Sequence, residues 1–330
     1  LIHKKLDIPL RVYKDQALLR RLPLNHDKRS DIEEDQKSRE SGYRGEHQLQ
    51  YYLQELPDKD FHIFNDLRLP TTSNTSFQID SLVISSHLAV IIEVKHMSGT
   101  LFFDNTFNQL IQTKSKKERA YLNPLAQVRR QKHLLERLMQ SNQVHLPIDY
   151  LVVSSNAHAI LKAKPENQEG FQKVIRVEQV LEKILSLHHI HPKPMLTLSN
   201  MNKIMTLLLN KHNPVDTNIL KTYSIDVNNI ICGVQCPACK KYSMTRKFGE
   251  WYCSICQCVS KKAHKQALLD YFLLFGSKIT NRQCRDFLHL TSRKVAWQLL
   301  KDLNLPSDGE NRTTFYTLSF DKLYDAGSND

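Results

Sequence analysis

The sequence predicts an α/β fold with two small modules appended toward its C-terminal end. Three observations lead there. Apolar runs at residues 80–85, 88–95 and 148–154 have the length and β-branched content of strands, and they alternate with stretches of helical periodicity. Six of the seven cysteines fall between Cys232 and Cys258. Residues 264–303 repeat apolar side chains at helical spacing among many lysines and arginines.

Taken in order, residues 1–40 are rich in charge and read as an N-terminal arm with a short helix at 16–22 and a solvated acidic-basic stretch at 30–38. Residues 45–56 place Leu49, Tyr52, Leu53 and Leu56 at helical spacing, and residues 61–69 alternate as a strand does. The runs 80–85 and 88–95 flank Ser86-His87, which suits a two-residue hairpin turn. Asn123-Pro124 is a cap followed by proline at the first helical position, opening a helix that carries Leu134, Leu135 and Leu138. With the strand at 148–154, residues 41–165 make one α/β unit. Residues 166–230 form a helical extension, with a strand at 174–177 and helices at 178–187 and 200–211. His188, His189 and His191, beside Pro192 and Pro194, read as a solvated loop.

Charge narrows the partner. Lys and Arg total 46 against 34 Asp and Glu, a net +12, which favours a polyanion: nucleic acid first, an anionic membrane surface second. The apolar runs are too short to span a bilayer, and the N-terminal residues lack the apolar core of an export signal. Clustered cysteines in such a chain point to a metal site rather than to disulfides, and to a cytoplasmic protein that does not engage a membrane.

The hairpin carries the chemistry. A turn at Ser86-His87 pairs residue 85 with 88 and 84 with 89, so the same register sets Asp80 opposite Glu93. Directly opposed side chains have Cβ atoms roughly 4.5–5.5 Å apart, and two carboxylates there repel unless a cation lies between them. Mg²⁺ favours sites with one or two carboxylates. Side chains alternate along a strand, so Lys95 shares the face of Glu93. Glu46 precedes Leu49 and Leu53 on one apolar helical stripe, where a carboxylate needs a partner. Gln127 and Gln131 align in the same way with Leu134 and Leu138.

These residues carry a family resemblance. Gly42-Tyr-Arg-Gly-Glu46, Phe77-Gln-Ile-Asp80-Ser-Leu-Val-Ile, Val90-Ile-Ile-Glu-Val-Lys95-His-Met-Ser-Gly99 and Asn123-Pro-Leu-Ala-Gln127 together resemble the nuclease-related domain, NERD, of the PD-(D/E)xK nuclease superfamily. The resemblance covers residues 42–160, with His96 where the family often has Asn and Ile79 where the superfamily name has Pro. It implies a restriction-endonuclease-like core, a mixed sheet flanked by helices. It also implies that Asp80 and Glu93 bind Mg²⁺ or Mn²⁺, that Lys95 is the catalytic lysine, and that Glu46 and Gln127 complete the site. A cation there would supply an activated water and neutralise charge on the scissile phosphate. Whether Lys95 orients the water, deprotonates it or stabilises the transition state stays open, as does one metal against two.

Two Cys-x-x-Cys pairs, Cys236/Cys239 and Cys253/Cys256, have the spacing of a four-thiolate zinc ribbon, residues 231–260, with Cys232 and Cys258 spare. Such a closed site makes Zn²⁺ structural. Between the pairs, basic residues interleave with Tyr242, Phe248, Trp251 and Tyr252, which suits either nucleic-acid contact or the ribbon's own small core. Residues 261–330 read as three helices and a trailing strand, a winged helix-turn-helix pattern, with Arg293 and Lys294 opening the third helix to contact nucleic acid. The sequence therefore predicts a metal-dependent nuclease acting on DNA. The rival from another class is a non-catalytic DNA-binding adaptor or regulator with a degenerate nuclease core; the joint presence of Asp80, Glu93 and Lys95 favours the enzyme.

Overall fold

A computed structural model describes residues 1–71, 75–310 and 313–320. The chain opens with strand β1 (Ile2–Lys4), helix α1 (Leu10–Arg21) and helix α2 (Arg29–Leu53). Two compact units result. The first comprises Leu1–Asp7 and the described residues from Glu40 to Val215; the second takes Ile8–Arg39 and the described residues from Asp216 on. The expected arm over residues 1–40 is thus divided. Its first residues pair as β1 with a strand some sixty residues later, Ile2 with Ile63, a long-range pairing that no local pattern signals.

In the first unit follow β2 (His62–Pro70), β3 (Ser76–Ile84), β4 (Ala89–Lys95), β5 (Gly99–Asp104), β6 (Gln109–Lys114), β7 (Lys117–Leu122), α3 (Pro124–Ser141), β8 (Ile148–Ser154), β9 (Ala159–Ala163), α4 (Gln168–Lys173), β10 (Val174–Arg176), α5 (Val180–Ile190) and α6 (Leu198–Lys211). A six-stranded mixed sheet has the order β1-β2-β3-β4-β8-β10. One face packs on α2 and α5 through Leu49, Leu53, Val180 and Ile184. The other packs on α3 and α6 through Leu125, Val128, Leu135 and Ile204. The predicted cap holds: the Asn123 side chain accepts the Leu125 amide ahead of Pro124. His188 and His189 end α5 rather than lying in a loop. A second sheet, β7-β6-β5-β9, was not foreseen. It sends only Leu101, Phe103, Leu110 and Ala159 into the core, and β7 is exposed along its whole length, so neither strand alternation nor an apolar run announces it.

The second unit adds α7 (Ile219–Thr222), β11 (Met244–Lys247), β12 (Glu250–Cys253), β13 (Val259–Ser260), α8 (Ala263–Phe275), β14 (Lys278–Thr280), α9 (Asn281–Leu288), α10 (Arg293–Lys301), β15 (Ser307–Asp308) and β16 (Phe315–Thr317). Strands β11–β13 make one small sheet, and β14-β16-β15 another. Thr280 caps α9 in a reciprocal capping box with Gln283, and Ser292 caps α10 by accepting the Val295 amide. Strand β14 is an element the sequence hid, since Lys278-Ile-Thr280 is too short for any periodicity. The expected reading of residues 321–330 lies outside the described residues. Among the described residues, no helix is long and apolar enough to cross a membrane.

The second unit has a buried ion cluster. Asp270, 1% exposed, accepts from Arg20 at 2.8 Å, Arg21 at 2.9 Å and Gln266 at 3.0 Å, and the Arg21 guanidinium also donates to the carbonyls of Ile231 and Gly233. Removing the carboxylate would strand a buried cation, which costs roughly 3–5 kcal/mol. Asp270→Ala is expected to lower the unfolding free energy of this unit by that amount. A shift below about 1 kcal/mol in urea titration would show that Arg21 finds other partners.

Candidate active site and cysteine centre

The β3–β4 hairpin has the register that the two-residue turn dictates: Ile84 pairs Ala89, Val83 pairs Val90, Leu82 pairs Ile91 and Ser81 pairs Ile92. Continued by one residue, it would set Asp80 across from Glu93. On β4, Ala89 and Ile91 join the core beneath α3 while Val90, Ile92 and Val94 join the opposite core. Alternation therefore puts Glu93 and Lys95 on the α3 side. Glu93 is 2% exposed. Its carboxylate accepts from Lys95 Nζ at 2.5 Å and from Gln131 Nε2 at 3.1 Å.

Ladder pairing stops short of Asp80, whose carboxylate instead accepts the Val94 amide at 2.9 Å. The cause lies in the neighbouring strands. β2 sends both Phe64 and Leu67 into the core beneath α3, and β3 sends both Ile79 and Leu82 there. A two-residue repeat cannot do this, so each strand slips its phase once. The slip in β2 falls at Asp66, which takes the left-handed φ of 48°. Asp66 lies between the pairs Asn65–Ser81 and Leu67–Ile79, opposite Asp80 in register. Its carboxylate takes the Gln78 amide at 2.7 Å and faces Lys4 Nζ at 3.8 Å.

Helix α2 supplies Glu46. Gly45 lets that helix approach: a Cβ there would lie 2.6 Å from His96 Cβ and 2.7 Å from Ser155 Oγ. His96 and Ser155 are themselves joined at 3.0 Å, next to Lys95. Burial, then the charges of Asp66 and Glu93, raise the Glu46 carboxyl to about 7. Burial likewise pushes Asp80 well above the usual carboxylate range, reinforced by Glu93 and Glu46 and opposed by Lys95 and the Val94 amide. Burial alone would lower the Lys95 ammonium, but Glu93, Asp80 and Glu46 raise it. The Lys95 ammonium thus faces three carboxylates, one of which, Glu46, is also acted on by Lys4. Two buried polar atoms on the same side, Gln131 Oε1 and Ser154 Oγ, have no hydrogen-bond partner among the described residues. Excess buried negative charge, hard oxygen donors and unmet polar atoms fit a hydrated divalent cation such as Mg²⁺.

The structure thus gathers Glu46, Asp80, Glu93 and Lys95. Gln127 is not gathered: it is exposed. The buried stripe of α3 runs through Leu125, Val128, Gln131 and Leu135, and residue 127 lies off it by the turn of the helix, so Gln131 takes the place expected of Gln127. Asp66 and Lys4 were missed altogether. An Asn65-Asp66 step inside an apolar strand was the available signal for the first; Lys4 arrives only through the parallel β1–β2 pairing.

In the second unit the sulfurs of Cys236, Cys239, Cys253 and Cys256 lie within 4.8 Å of one another. Cys236 and Cys256 sulfurs are 3.5 Å apart, and those of Cys239 and Cys253 are 3.6 Å apart, with no disulfide formed. Tetrahedral zinc with bonds of about 2.3 Å requires sulfurs about 3.8 Å apart, so the set fits zinc. Hydrogen bonds from the Ser243 hydroxyl and the Cys256 amide pull the Cys253 thiol down to about 6, favouring the thiolate. Cys232 and Cys258 stand outside the cluster. Of the aromatics, Trp251 is fully buried in the ribbon, whereas Phe248 projects from the β11–β12 turn fully exposed. The core reading thus holds for Trp251.

No curated protein and no solved structure matches the chain. Residues 41–155, which hold Glu46, Asp66, Asp80, Glu93, Lys95 and Gln131, match the family described as Nuclease-related domain, NERD. The chain therefore carries a nuclease-related domain over residues 41–155.

Proposed function

We propose that this chain is a metal-dependent nuclease that hydrolyses phosphodiester bonds in DNA. The observation that carries the reading is the convergence of Asp80, Glu93 and Lys95, with Glu46, inside the segment that matches the nuclease-related domain. Asp80 and Glu93 would hold Mg²⁺ or Mn²⁺, with Glu46 and Asp66 beside them. When bound, the cation supplies a Lewis acid for the scissile phosphate and a water of lowered pKa. The chain's own groups do the rest. Lys95, tied to Glu93 at 2.5 Å, is held where its ammonium can orient the water or offset negative charge building on the phosphate. Gln131 fixes the second Glu93 oxygen, so the carboxylate cannot rotate away.

The second unit supports nucleic-acid binding. The order α8-β14-α9-α10 followed by the β15–β16 hairpin is the order of a winged helix. Arg293 and Lys294 are exposed in the first turn of α10 and line a groove with Arg282, Arg285 and Trp297. A ribbon held by one structural Zn²⁺ on Cys236, Cys239, Cys253 and Cys256 completes this unit. The whole suits a cytoplasmic DNA-processing enzyme.

The test is incubation with circular and linear DNA, single- and double-stranded, and with RNA, in Mg²⁺, in Mn²⁺ or with no cation added. Cleavage of DNA that requires either added cation is expected. DNA binding without cleavage under every condition would instead support the adaptor with a degenerate core.

A further inference from the structure

The second sheet of the first unit ends in a hairpin whose tip and outer strand lie outside the core. Residues 114–122 are all exposed. From residue 109 to 122 the hairpin carries Lys114, Lys116, Lys117 and Arg119 against the single acid Glu118. Lys114 and Lys117 are directly paired across the ladder, a like-charge pairing that destabilises a hairpin. The turn between them, Ser115-Lys116, has φ of 50° and 62°. That is the two-residue turn that Asn-Gly fills at least cost, and here a lysine occupies the left-handed position. A hairpin built for stability alone would avoid both features. Glu118 does not answer the lysines, because it pairs Thr113 on the other face and bonds the Thr113 hydroxyl at 3.2 Å.

The hairpin is anchored beside the carboxylates. Gln112 Nε2 donates to the Ser98 carbonyl at 2.7 Å, three residues beyond Lys95. Gly99, at φ 85°, admits β6 so closely that a Cβ there would lie 2.5 Å from the Thr113 carbonyl oxygen. Paired residues share a face, so Gln112, Lys114 and Lys117 lie on the same side of the sheet. The lysine face thus continues from the residue that grips the loop following the catalytic strand.

We propose that the β6–β7 hairpin is a phosphate clamp, with Lys114, Lys116 and Lys117 gripping the backbone of the nucleic acid that enters the carboxylate site. The clamp rests on the nuclease reading for its substrate, but its binding is separately measurable. Its partner is a polyanionic backbone, since phosphate contacts from lysines position a nucleic acid without reading its sequence.

The experiment uses the full chain and a fluorescein-labelled duplex DNA, in buffer without added Mg²⁺ or Mn²⁺ so that no cleavage intervenes. Binding is followed by anisotropy between about 50 and 200 mM salt. Each phosphate contact contributes about 0.9 to the slope of log affinity against log salt. The triple variant Lys114→Ala/Lys116→Ala/Lys117→Ala is expected to flatten that slope by about two to three and to weaken low-salt binding at least tenfold. Lys114→Arg/Lys116→Arg/Lys117→Arg should restore both. Should the alanine triple misfold, Lys116→Ala alone is expected to flatten the slope by about one. A slope unchanged in the alanine variants overturns the clamp even if the wild type cleaves DNA. A flattened slope in a protein that cleaves nothing with any cation upholds the clamp and overturns the nuclease reading.

Discussion

Loss of the bound zinc is expected to unfold the ribbon and expose Trp251. Structural Zn²⁺ sites of this kind contribute roughly 10 kcal/mol or more, because the unfolded chain does not preform the site. The ribbon has little else. Its three strands span Met244–Lys247, Glu250–Cys253 and Val259–Ser260, too few residues for an independent core. Cys236, Cys253, Met244 and Trp251 belong to the same buried cluster as Leu268 and Phe272, so the loss spreads into the second unit. The chain purified without added zinc is expected to hold one equivalent. Cys253→Ser, or a strong chelator, should release it. Fluorescence reads the result, since the other tryptophan, Trp297, is already 44% exposed and Trp251 is fully buried. A red shift on zinc removal is expected. Cys232→Ser and Cys258→Ser should keep the metal. Retention of zinc by Cys253→Ser, or an unshifted spectrum in the zinc-free chain, would contradict the four-thiolate assignment.

Asp80→Asn is expected to reduce metal-dependent cleavage at least a thousandfold, on the order of 4 kcal/mol of transition-state stabilisation. An amide has the shape of the carboxylate and can still accept the Val94 amide, so the backbone should hold. It lacks the charge that a divalent cation requires. The same variant should make the metal-free protein more stable at neutral pH. The Asp80 carboxyl is pushed up by burial and by Glu93 and Glu46. A group whose pKa is raised by folding stabilises fully only below its ordinary value near 3.8, and that contribution is lost as pH rises above it. At pH 7 the raised carboxyl therefore costs the fold stability that it supplies below its ordinary value, and Asn removes that cost, by about 1 kcal/mol. The gain should vanish below about pH 4, where both forms are neutral. Thermal melts across pH without added Mg²⁺ or Mn²⁺, beside cleavage time courses, measure both halves. Cleavage by Asp80→Asn at the wild-type rate would sink the active-site assignment.

Glu46, Asp80, Glu93 and Lys95 were legible because each belongs to a pattern that short segments carry within themselves. A two-residue turn counts out the register from Ser86-His87 to Glu93, and the three-residue offset from Glu46 to Leu49 follows from the helical repeat. Gln131 was in view but Gln127 was preferred. Gln127 lies at the exposed edge of the stripe that holds Gln131, and only the packing of α3 against β3 and β4, where Gln131 reaches the Gln78 carbonyl and Glu93, shows where that edge falls. Arg21 and Asp270 form a buried pair 249 residues apart, which no window along the chain would find.

By itself the sequence determined the elements whose signals are local: the β3–β4 register, the Asn123-Pro124 and Thr280 caps, and the thiol pairs whose spacing suits one zinc. Tertiary structure decided what depends on distant segments meeting. It placed β1 and Lys4 beside β2, and it slipped both β2 and β3 at Asp66 and Asp80 so that two cores could be filled. It also built the second sheet from β6 and the fully exposed β7, whose residues carry almost no apolar alternation. The physical reason is the same in each case. A cap or turn is stabilised by neighbours a few residues away, whereas a phase slip or an edge strand is stabilised by burial and pairing that exist only once the rest of the sheet has formed.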